Sequence, residues 1–290
     1  MSIHEQDKLI RAISGDGYAS LTAVTTRNIT ARIREIHASS RTATAALGRL
    51  AAAACIMGEA LKAQGASVTC VIDGKGPVGQ LIAVADSAGN VRVSAKNPTA
   101  DLPLAPNGKL NVGGLVGTDG FLSVVRDFGV GEPYTGYVPL VSGEIAEDFA
   151  AYFVQSEQVG SAVGLGALIG GDETVLETGG FLLSLLPGCP EPDRLAERLE
   201  ENIKNAVAVT EMLHSGGLDA VVSRLLSGMS PRVLEERDIF YKCSCSRERT
   251  LNMLSSLPEP DRAELRSSGE TLEITCDFCD AVYYIAPNEL

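Results

Sequence analysis

Two close pairs of cysteines near the C-terminus are the residues best suited to do chemistry. One pair is Cys243-Ser-Cys245 and the other is Cys276-Asp-Phe-Cys279, with residues 246–275 between them. That segment is long enough to fold back, so four thiolates can meet around one tetrahedral ion, which is most often zinc. The C-x-x-C spacing is common in structural zinc sites, whereas C-x-C is tighter than usual. We predict that Cys243, Cys245, Cys276 and Cys279 bind one Zn2+ per chain.

The same four residues are also candidates for redox chemistry. The thiolate is the nucleophilic form of cysteine, and each cysteine has a partner close by in the sequence. Oxidation to a disulfide is therefore feasible, and it would destroy the metal site. In a structural zinc ribbon such oxidation is damage, whereas in a redox sensor it is the mechanism. The spacing alone is compatible with both.

The rest of the chain contains no pattern typical of an active site. The three histidines, His4, His37 and His214, are dispersed. Neither a G-x-S-x-G nucleophile motif nor a phosphate-binding P-loop is present. Acidic residues at 144, 147 and 148 fall at the start of a predicted helix, where capping explains them better than acid–base catalysis. We predict that the protein is not an enzyme.

Two further features have plain structural interpretations. The run Gly74-Lys-Gly-Pro-Val-Gly79 satisfies G-x-G-x-x-G, but a strand follows it instead of the helix that a dinucleotide site requires, which favours a glycine-rich turn. Cys55 and Cys70 lie in apolar segments and are expected to be core thiols. Cys189 lies in a proline-rich segment, has no visible partner and is assigned no role.

Composition limits the classes of partner. The chain has 290 residues, a formal net charge of −13, 45% apolar residues and no tryptophan. Nucleic acid and anionic membranes attract clustered Lys and Arg, which are absent, so neither is an expected partner. The N-terminus lacks the pattern of a signal peptide, and the apolar runs are too short to span a membrane. We therefore predict a cytoplasmic protein, whose thiols stay reduced and whose clustered cysteines are not a disulfide framework.

The periodicity predicts an α+β protein in three segments. Residues 1–186 form a mixed α/β core domain with antiparallel sheets, an almost wholly apolar helix over 42–63, and a helix from Glu144 with Ser142 as its N-cap. Residues 187–231 form an amphipathic helical linker, which begins at a proline-rich boundary, places an apolar stripe from Leu195 to Met212 on a sheet of the core and breaks at Ser215-Gly-Gly217. Residues 232–290 form a small zinc-binding domain.

The sequence resembles the thirty-three-kilodalton heat-shock protein family of bacterial redox-regulated holdase chaperones. The most specific similarity is Cys243-Ser-Cys-Ser-Arg-Glu-Arg249 followed by Cys276-Asp-Phe-Cys279 and Tyr283 or Tyr284. The remaining similarities extend over nearly the whole chain: Thr44–Arg49, Gly74–Gly79, Val141–Asp148, Tyr152–Gln158 and Gly179-Gly180.

The resemblance implies a mechanism that the spacing does not. The reduced, zinc-bound protein would be inactive. Oxidation would join Cys243 to Cys245 and Cys276 to Cys279, release zinc and unfold the C-terminal domain and the linker. The exposed apolar surface would bind unfolding client proteins without ATP under oxidative and heat stress, and the active form would be a homodimer. An amphipathic linker beside a metal-dependent domain fits such a switch.

Two alternatives stay open from the residues alone. The first is a protein-binding module with a purely structural zinc ribbon, which oxidation would inactivate and never activate. The second is a thiol–disulfide oxidoreductase that uses one cysteine pair catalytically. Four thiolates that share one metal argue against the second, because a bound thiolate is a poor free nucleophile.

Overall fold

The computed structural model describes residues 6–290 as a mixed α/β protein built on antiparallel sheets, as the sequence predicted. The strands are β1 Lys8–Ile13, β2 Ala19–Thr25, β3 Ser67–Asp73, β4 Leu81–Asp86, β5 Asn90–Ala95, β6 Phe121–Asp127, β7 Tyr134–Pro139, β8 Ser161–Ile169, β9 Val175–Leu185, β10 Arg232–Asp238, β11 Phe240–Tyr241, β12 Leu272–Thr275 and β13 Val282–Ile285. The helices are α1 Arg27–His37, α2 Arg41–Glu59, α3 Val112–Val116, α4 Ala146–Gln155, α5 Pro192–Lys204, α6 Val209–Leu225, α7 Arg247–Ser255 and α8 Glu259–Ser267, and a 3-10 turn covers Pro287–Glu289.

The strands form two large sheets and one hairpin. One sheet has the order β10-β1-β2-β9-β8 and the other has the order β11-β5-β4-β3-β6-β7, while β12 pairs with β13. The short β11 pairs with β5 in parallel, and the other strand pairs of the described chain are antiparallel. Segment 232–241 therefore contributes an edge strand to each large sheet, directly before the first cysteine pair.

Helix α2 is the centre of the apolar core and contacts strands of both large sheets. Its alanine-rich sequence has high helix propensity and small side chains, so the sheets can approach it closely. Ser40 caps its N-terminus by accepting a hydrogen bond from the Ala43 N–H at 3.1 Å. The helix ends at Glu59, four residues before the predicted end at residue 63. Its residues are buried except for Arg41, Arg49 and Glu59, as expected of an almost wholly apolar helix.

The start of helix α4 differs from the prediction. Ile145, with a φ of 71°, occupies the N-cap position in place of Ser142. The buried Asp148 carboxylate supplies the cap by accepting the Ile145 N–H at 2.9 Å and the Val141 N–H at 2.7 Å. A carboxylate in the first turn satisfies N–H groups that lack helical partners and interacts well with the positive end of the helix. The capping role predicted for Asp148 is confirmed.

Helices α5 and α6 cover the outer face of the β10-β1-β2-β9-β8 sheet. Alternate residues on the strands and one side of each helix form a second apolar cluster, which confirms the predicted sheet partner of the linker. The predicted break is also confirmed, since Gly216 and Gly217 have non-helical dihedrals inside α6. The predicted continuous stripe is wrong at Val207, which lies between the two helices and is 46% exposed.

The chain divides into two compact units, one ending at Tyr241 and the other spanning Lys242–Leu290. The second unit contains α7, α8 and the β12–β13 hairpin. Helix α8 was not predicted, because its sequence is polar on all sides and none of its residues is buried. The three-segment division at 186 and 231 stays a prediction.

Candidate metal and redox centre

The first cysteine pair lies in the short connection between β11 and α7. Ser246 caps α7 by accepting the Arg249 N–H at 3.1 Å. The Arg249 guanidinium turns back and donates to the Ser244 carbonyl oxygen at 2.8 Å and to its hydroxyl at 2.5 Å. Ser244 separates Cys243 from Cys245, so these contacts fix the backbone that carries both sulfurs.

The second pair lies in the tight turn of the β12–β13 hairpin. The Cys276 N–H donates to the Ala281 carbonyl oxygen at 2.9 Å, and the Cys276 carbonyl oxygen accepts the N–H groups of Cys279 at 3.2 Å and Asp280 at 2.9 Å. Asp280 has a φ of 57°, in the left-handed region that aspartate tolerates better than most residues. The turn points both sulfurs of the C-x-x-C motif to one side.

The structure brings the four predicted ligands together. All four Sγ atoms lie within 4.8 Å of one another. Cys243 Sγ is 3.7 Å from Cys276 Sγ, and Cys245 Sγ is 3.3 Å from Cys279 Sγ. Tetrahedral zinc with Zn–S bonds of about 2.3 Å separates its sulfurs by about 3.8 Å. The donor set and its spacing therefore fit a single tetrahedral ion.

Burial and hydrogen bonding shift the pKa values of Cys243, Cys245 and Cys279 in different directions. Burial acts to raise the pKa of Cys245, but hydrogen bonds from Tyr283 and from the other cysteines outweigh it and lower that pKa to about 7. Burial raises the pKa of Cys243 and that of Cys279. The hydrogen bond to Cys245 raises the pKa of Tyr283 to about 12. Cys245 is therefore more acidic than Cys243 and Cys279, and a bound cation would favour the thiolate form of its ligands.

The remaining cysteines lie away from this cluster. Cys55 and Cys70 are buried in the apolar core, as predicted. Burial raises the pKa of the Cys70 thiol to about 12 and lifts the pKa of Cys55 well above its usual value. Both are therefore poor nucleophiles near neutral pH. Cys189 is half-buried and packs against the apolar cluster between helices α5 and α6 and the five-stranded sheet.

The other features singled out in the sequence have structural roles. The glycine-rich run forms the connection between the antiparallel strands β3 and β4, and no helix follows it, as predicted. The Glu144 carboxylate accepts hydrogen bonds from the Arg49 guanidinium at 2.5 Å and from the Gly113 N–H at 3.0 Å. His37 contacts the Val93 carbonyl oxygen at 3.0 Å. His214 lies in α6, and His4 lies outside the described residues.

Comparison with known proteins decides the family. The family model described as Hsp33 protein matches residues 7–286. The chain belongs to the Hsp33 family. Two curated relatives are named 33 kDa chaperonin. The one from Clostridioides difficile strain 630 is 39% identical over 98% of this chain and 97% of the relative. The one from Clostridium perfringens strain SM101 is 41% identical over 98% of this chain and 90% of the relative.

A solved structure has the same Hsp33 fold. The crystal structure of the 33 kDa chaperonin from Thermotoga maritima superposes with a TM-score of 0.87 at 34% identity, over 99% of this chain and 96% of the other. The resemblance inferred from the cysteine motifs is thus confirmed, and so is the fold class. Within residues 6–290, none of the helices combines the length and apolar composition needed to span a bilayer.

One member of the centre was not assigned a role from sequence. The Tyr283 hydroxyl donates a hydrogen bond to Cys245 Sγ at 3.0 Å. The resemblance pointed to Tyr283 or Tyr284 without distinguishing them. Strand alternation distinguishes them, because residues 283 and 285 share a face of β13 and Ile285 is fully buried, whereas Tyr284 is 58% exposed.

Proposed function

We propose that this protein is a redox-regulated, ATP-independent holdase chaperone, inactive when reduced and zinc-bound. The observation that carries the proposal is the convergence of four sulfurs within 4.8 Å in a small unit of its own. Membership of the Hsp33 family supports the chaperone role. In this proposal Cys243, Cys245, Cys276 and Cys279 hold one Zn2+, which supplies the tetrahedral crosslink of residues 242–290.

Dependence on the metal follows from how little apolar surface this unit buries. Its buried residues are Thr250, Leu254 and Ile285. A core of this size cannot offset the conformational entropy of nearly fifty residues. Structural zinc contributes on the order of 10–16 kcal/mol of apparent folding free energy in small domains. Loss of the metal should therefore unfold the unit.

Oxidation converts the two thiolates of each pair into one disulfide, with the loss of two electrons per pair. A thiolate attacks one oxygen of hydrogen peroxide and breaks the O–O bond, which forms a sulfenic acid and releases hydroxide. The neighbouring thiolate then displaces hydroxide from the sulfenic sulfur and forms the disulfide. We propose the products Cys243–Cys245 and Cys276–Cys279. Disulfide sulfurs no longer carry the negative charge that binds Zn2+, so the ion leaves.

The linker is the element through which unfolding exposes apolar surface. Leu195, Leu199, Met212, Val221 and Leu225 are buried against the five-stranded sheet. The chain that joins this linker to the cysteine unit is held by β10 and by the two-residue strand β11, which ends two residues before Cys243. A strand with two paired residues is a weak attachment, so unfolding that begins at Cys243 can extend through β11 and β10 toward the linker.

The exposed linker and sheet would offer a client-binding surface to partly unfolded proteins. The oxidised form is proposed to be a homodimer in the cytoplasm, acting in the response to oxidative and heat stress. Neither catalysis nor nucleic acid or membrane binding is part of the proposal. The acidic net charge of −13 supports the last two exclusions.

The test is to follow zinc, thiols and chaperone activity in the same sample. Reduced, zinc-loaded protein is treated with peroxide at elevated temperature, and zinc release, free thiols and suppression of client aggregation are measured together. We expect release of one zinc and loss of four thiols to precede suppression. Equal suppression before and after oxidation would overturn the switch, and loss of suppression on oxidation would favour the structural ribbon. Cys189→Ser is the matched control, because it alters a cysteine outside the cluster and should behave like the wild type.

A further inference from the structure

Tyr283 occupies the inward face of the zinc-site hairpin. It lies on β13, opposite Ile274 of β12 in the register. Its neighbours on that face are the half-buried Leu272 and the buried Ile285. Tyr283 therefore lies on the same face of the hairpin as these apolar residues, and its hydroxyl contacts the cysteine cluster.

The hydroxyl reaches the cysteine motif on the other side of the unit. Its oxygen lies 3.0 Å from Cys245 Sγ, a residue 38 positions earlier in the chain. This contact joins the strand after the C-x-x-C motif to the C-x-C motif. A phenol O–H can donate and a thiolate sulfur can only accept, so the direction of the bond is determined by the chemistry.

We propose that Tyr283 is a positioning residue that donates a hydrogen bond to the Cys245 thiolate and thereby slows its oxidation. This inference rests on the proposed function, because it concerns the rate at which the same site opens. The hydrogen bond from Tyr283 would thus determine how much oxidant is needed before zinc is released. Tyr284, on the opposite face of β13, has no such role.

The hydrogen bond would slow oxidation because it lowers the electron density that the Cys245 sulfur can donate to the oxidant. Attack on a peroxide oxygen uses a lone pair of the thiolate, and a donated hydrogen bond stabilises that lone pair and must weaken as the S–O bond forms. Groups outside the first coordination shell commonly tune metal-bound ligands in this way. The bond also restrains Cys245 next to Cys279, whose sulfur is 3.3 Å away.

The test compares Tyr283→Phe with the matched control Tyr284→Phe in the full, zinc-loaded chain. Zinc content is measured first, and zinc release at fixed peroxide is then followed with a chromogenic chelator. A hydrogen bond to a charged group contributes roughly 1.5 kcal/mol, so we expect Tyr283→Phe to release zinc on the order of tenfold faster. Mass spectrometry of alkylated protein should show Cys245 oxidised correspondingly sooner. Tyr284→Phe should match the wild type.

A spectroscopic measurement separates electronic tuning from loosened packing. In the Co2+-substituted protein, the thiolate-to-metal charge-transfer band should move to lower energy in Tyr283→Phe, because the sulfur becomes a stronger donor. Fluorotyrosine at position 283 keeps the ring and makes the hydroxyl a better donor. It should slow zinc release below the wild-type rate, and it tests the proposal even if Tyr283→Phe fails to fold.

The outcomes distinguish this inference from the function on which it rests. If wild-type protein binds no zinc or keeps it under peroxide, the proposed switch is wrong. If wild-type protein releases zinc but both phenylalanine variants behave alike and the cobalt spectrum is unchanged, the role of Tyr283 is wrong. Faster release in Tyr283→Phe with an unchanged band would also overturn it, because that pattern indicates packing alone.

Discussion

Cys245 Sγ lies 3.3 Å from Cys279 Sγ, although the two residues are 34 positions apart. Cys243 Sγ lies 3.7 Å from Cys276 Sγ, so both of these contacts join one motif to the other. The proposed disulfides instead join neighbours within each motif. Oxidation would thus replace one link between distant segments with two small local loops, which constrain the unfolded chain far less.

Cys279→Ser tests whether the four sulfurs act as one site. Three thiolates remain, and the sulfur that lies 3.3 Å from Cys245 Sγ is lost, so we expect zinc stoichiometry to fall well below one and residues 242–290 to unfold in the reduced protein. Zinc analysis and hydrogen exchange of β12 and β13 measure this. Cys70→Ala, which alters a buried core thiol, should keep one zinc. Full zinc binding by Cys279→Ser would contradict the site.

Leu225→Ala tests whether linker packing holds the chaperone inactive. Leu225 is fully buried, and truncation of a buried leucine costs about 2–5 kcal/mol. We expect client aggregation to be suppressed at a lower peroxide concentration than in the wild type. Val207→Ala, at a half-exposed position of the same linker, should leave that concentration unchanged. An unchanged threshold in Leu225→Ala would show that this contact does not control activity.

Asp148→Asn should lower the free energy of unfolding of the core by about 2–4 kcal/mol. The carboxylate accepts N–H groups on both of its oxygens, and an amide would place a donor against one of these donors. Urea denaturation of the reduced protein measures the change. Glu147→Gln alters an exposed carboxylate in the same helical turn and should have an effect within about 0.5 kcal/mol. Comparable losses in the two variants would refute the buried cap.

Gly48→Ala should destabilise the protein although alanine is the better helix former. The added Cβ would lie 2.8 Å from Thr30 Oγ1, and Thr30 is fixed by its 2.9 Å contact with Thr178. Overpacking of a core typically costs about 1–3 kcal/mol. Gly171→Ala, where the added methyl meets open space, should be nearly neutral in thermal unfolding. A stabilised Gly48→Ala would show that α1 can move away.

Asp7 should make stability depend on pH. Burial, partly opposed by hydrogen bonds from Ile29 and neighbouring N–H groups, raises its pKa from 3.8 to about 6. The folded state therefore binds this proton more tightly than the unfolded state. The contribution of Asp7 is fully present below pH 3.8 and is lost as the pH rises through about 6, a change of about 3 kcal/mol.

Asp7→Asn isolates that contribution. The difference in unfolding free energy, variant minus wild type, should increase by about 3 kcal/mol between acid and neutral pH. Denaturation of the reduced protein at several pH values, monitored by circular dichroism, measures it. Asp16→Asn, at a mainly solvated carboxyl, is the control and should give a much smaller, opposite slope, because its pKa is lowered. A pH-independent difference for Asp7→Asn would contradict the assignment.

Local chemistry explains why much of this protein could be predicted from sequence. Two cysteine pairs with metal-ligand spacing, an alanine-rich helix, alternating strands and a glycine pair that interrupts a helix are each encoded within a few residues. The four candidate ligands, the sheet partner of the linker and the structural role of the glycine-rich run followed from these patterns. A polar helix such as α8 has no apolar stripe to reveal it, and the N-cap at Ile145 depends on a carboxylate three residues later.

The sequence by itself determined the candidate ligands, the family and the fold class, because these depend on residue identity and short-range periodicity. Only the tertiary structure decided which sulfurs face each other, that Tyr283 and not Tyr284 reaches Cys245, and that segment 232–241 completes the edges of both large sheets. These relationships join residues tens to hundreds of positions apart. They arise from packing and strand register, which no local pattern encodes.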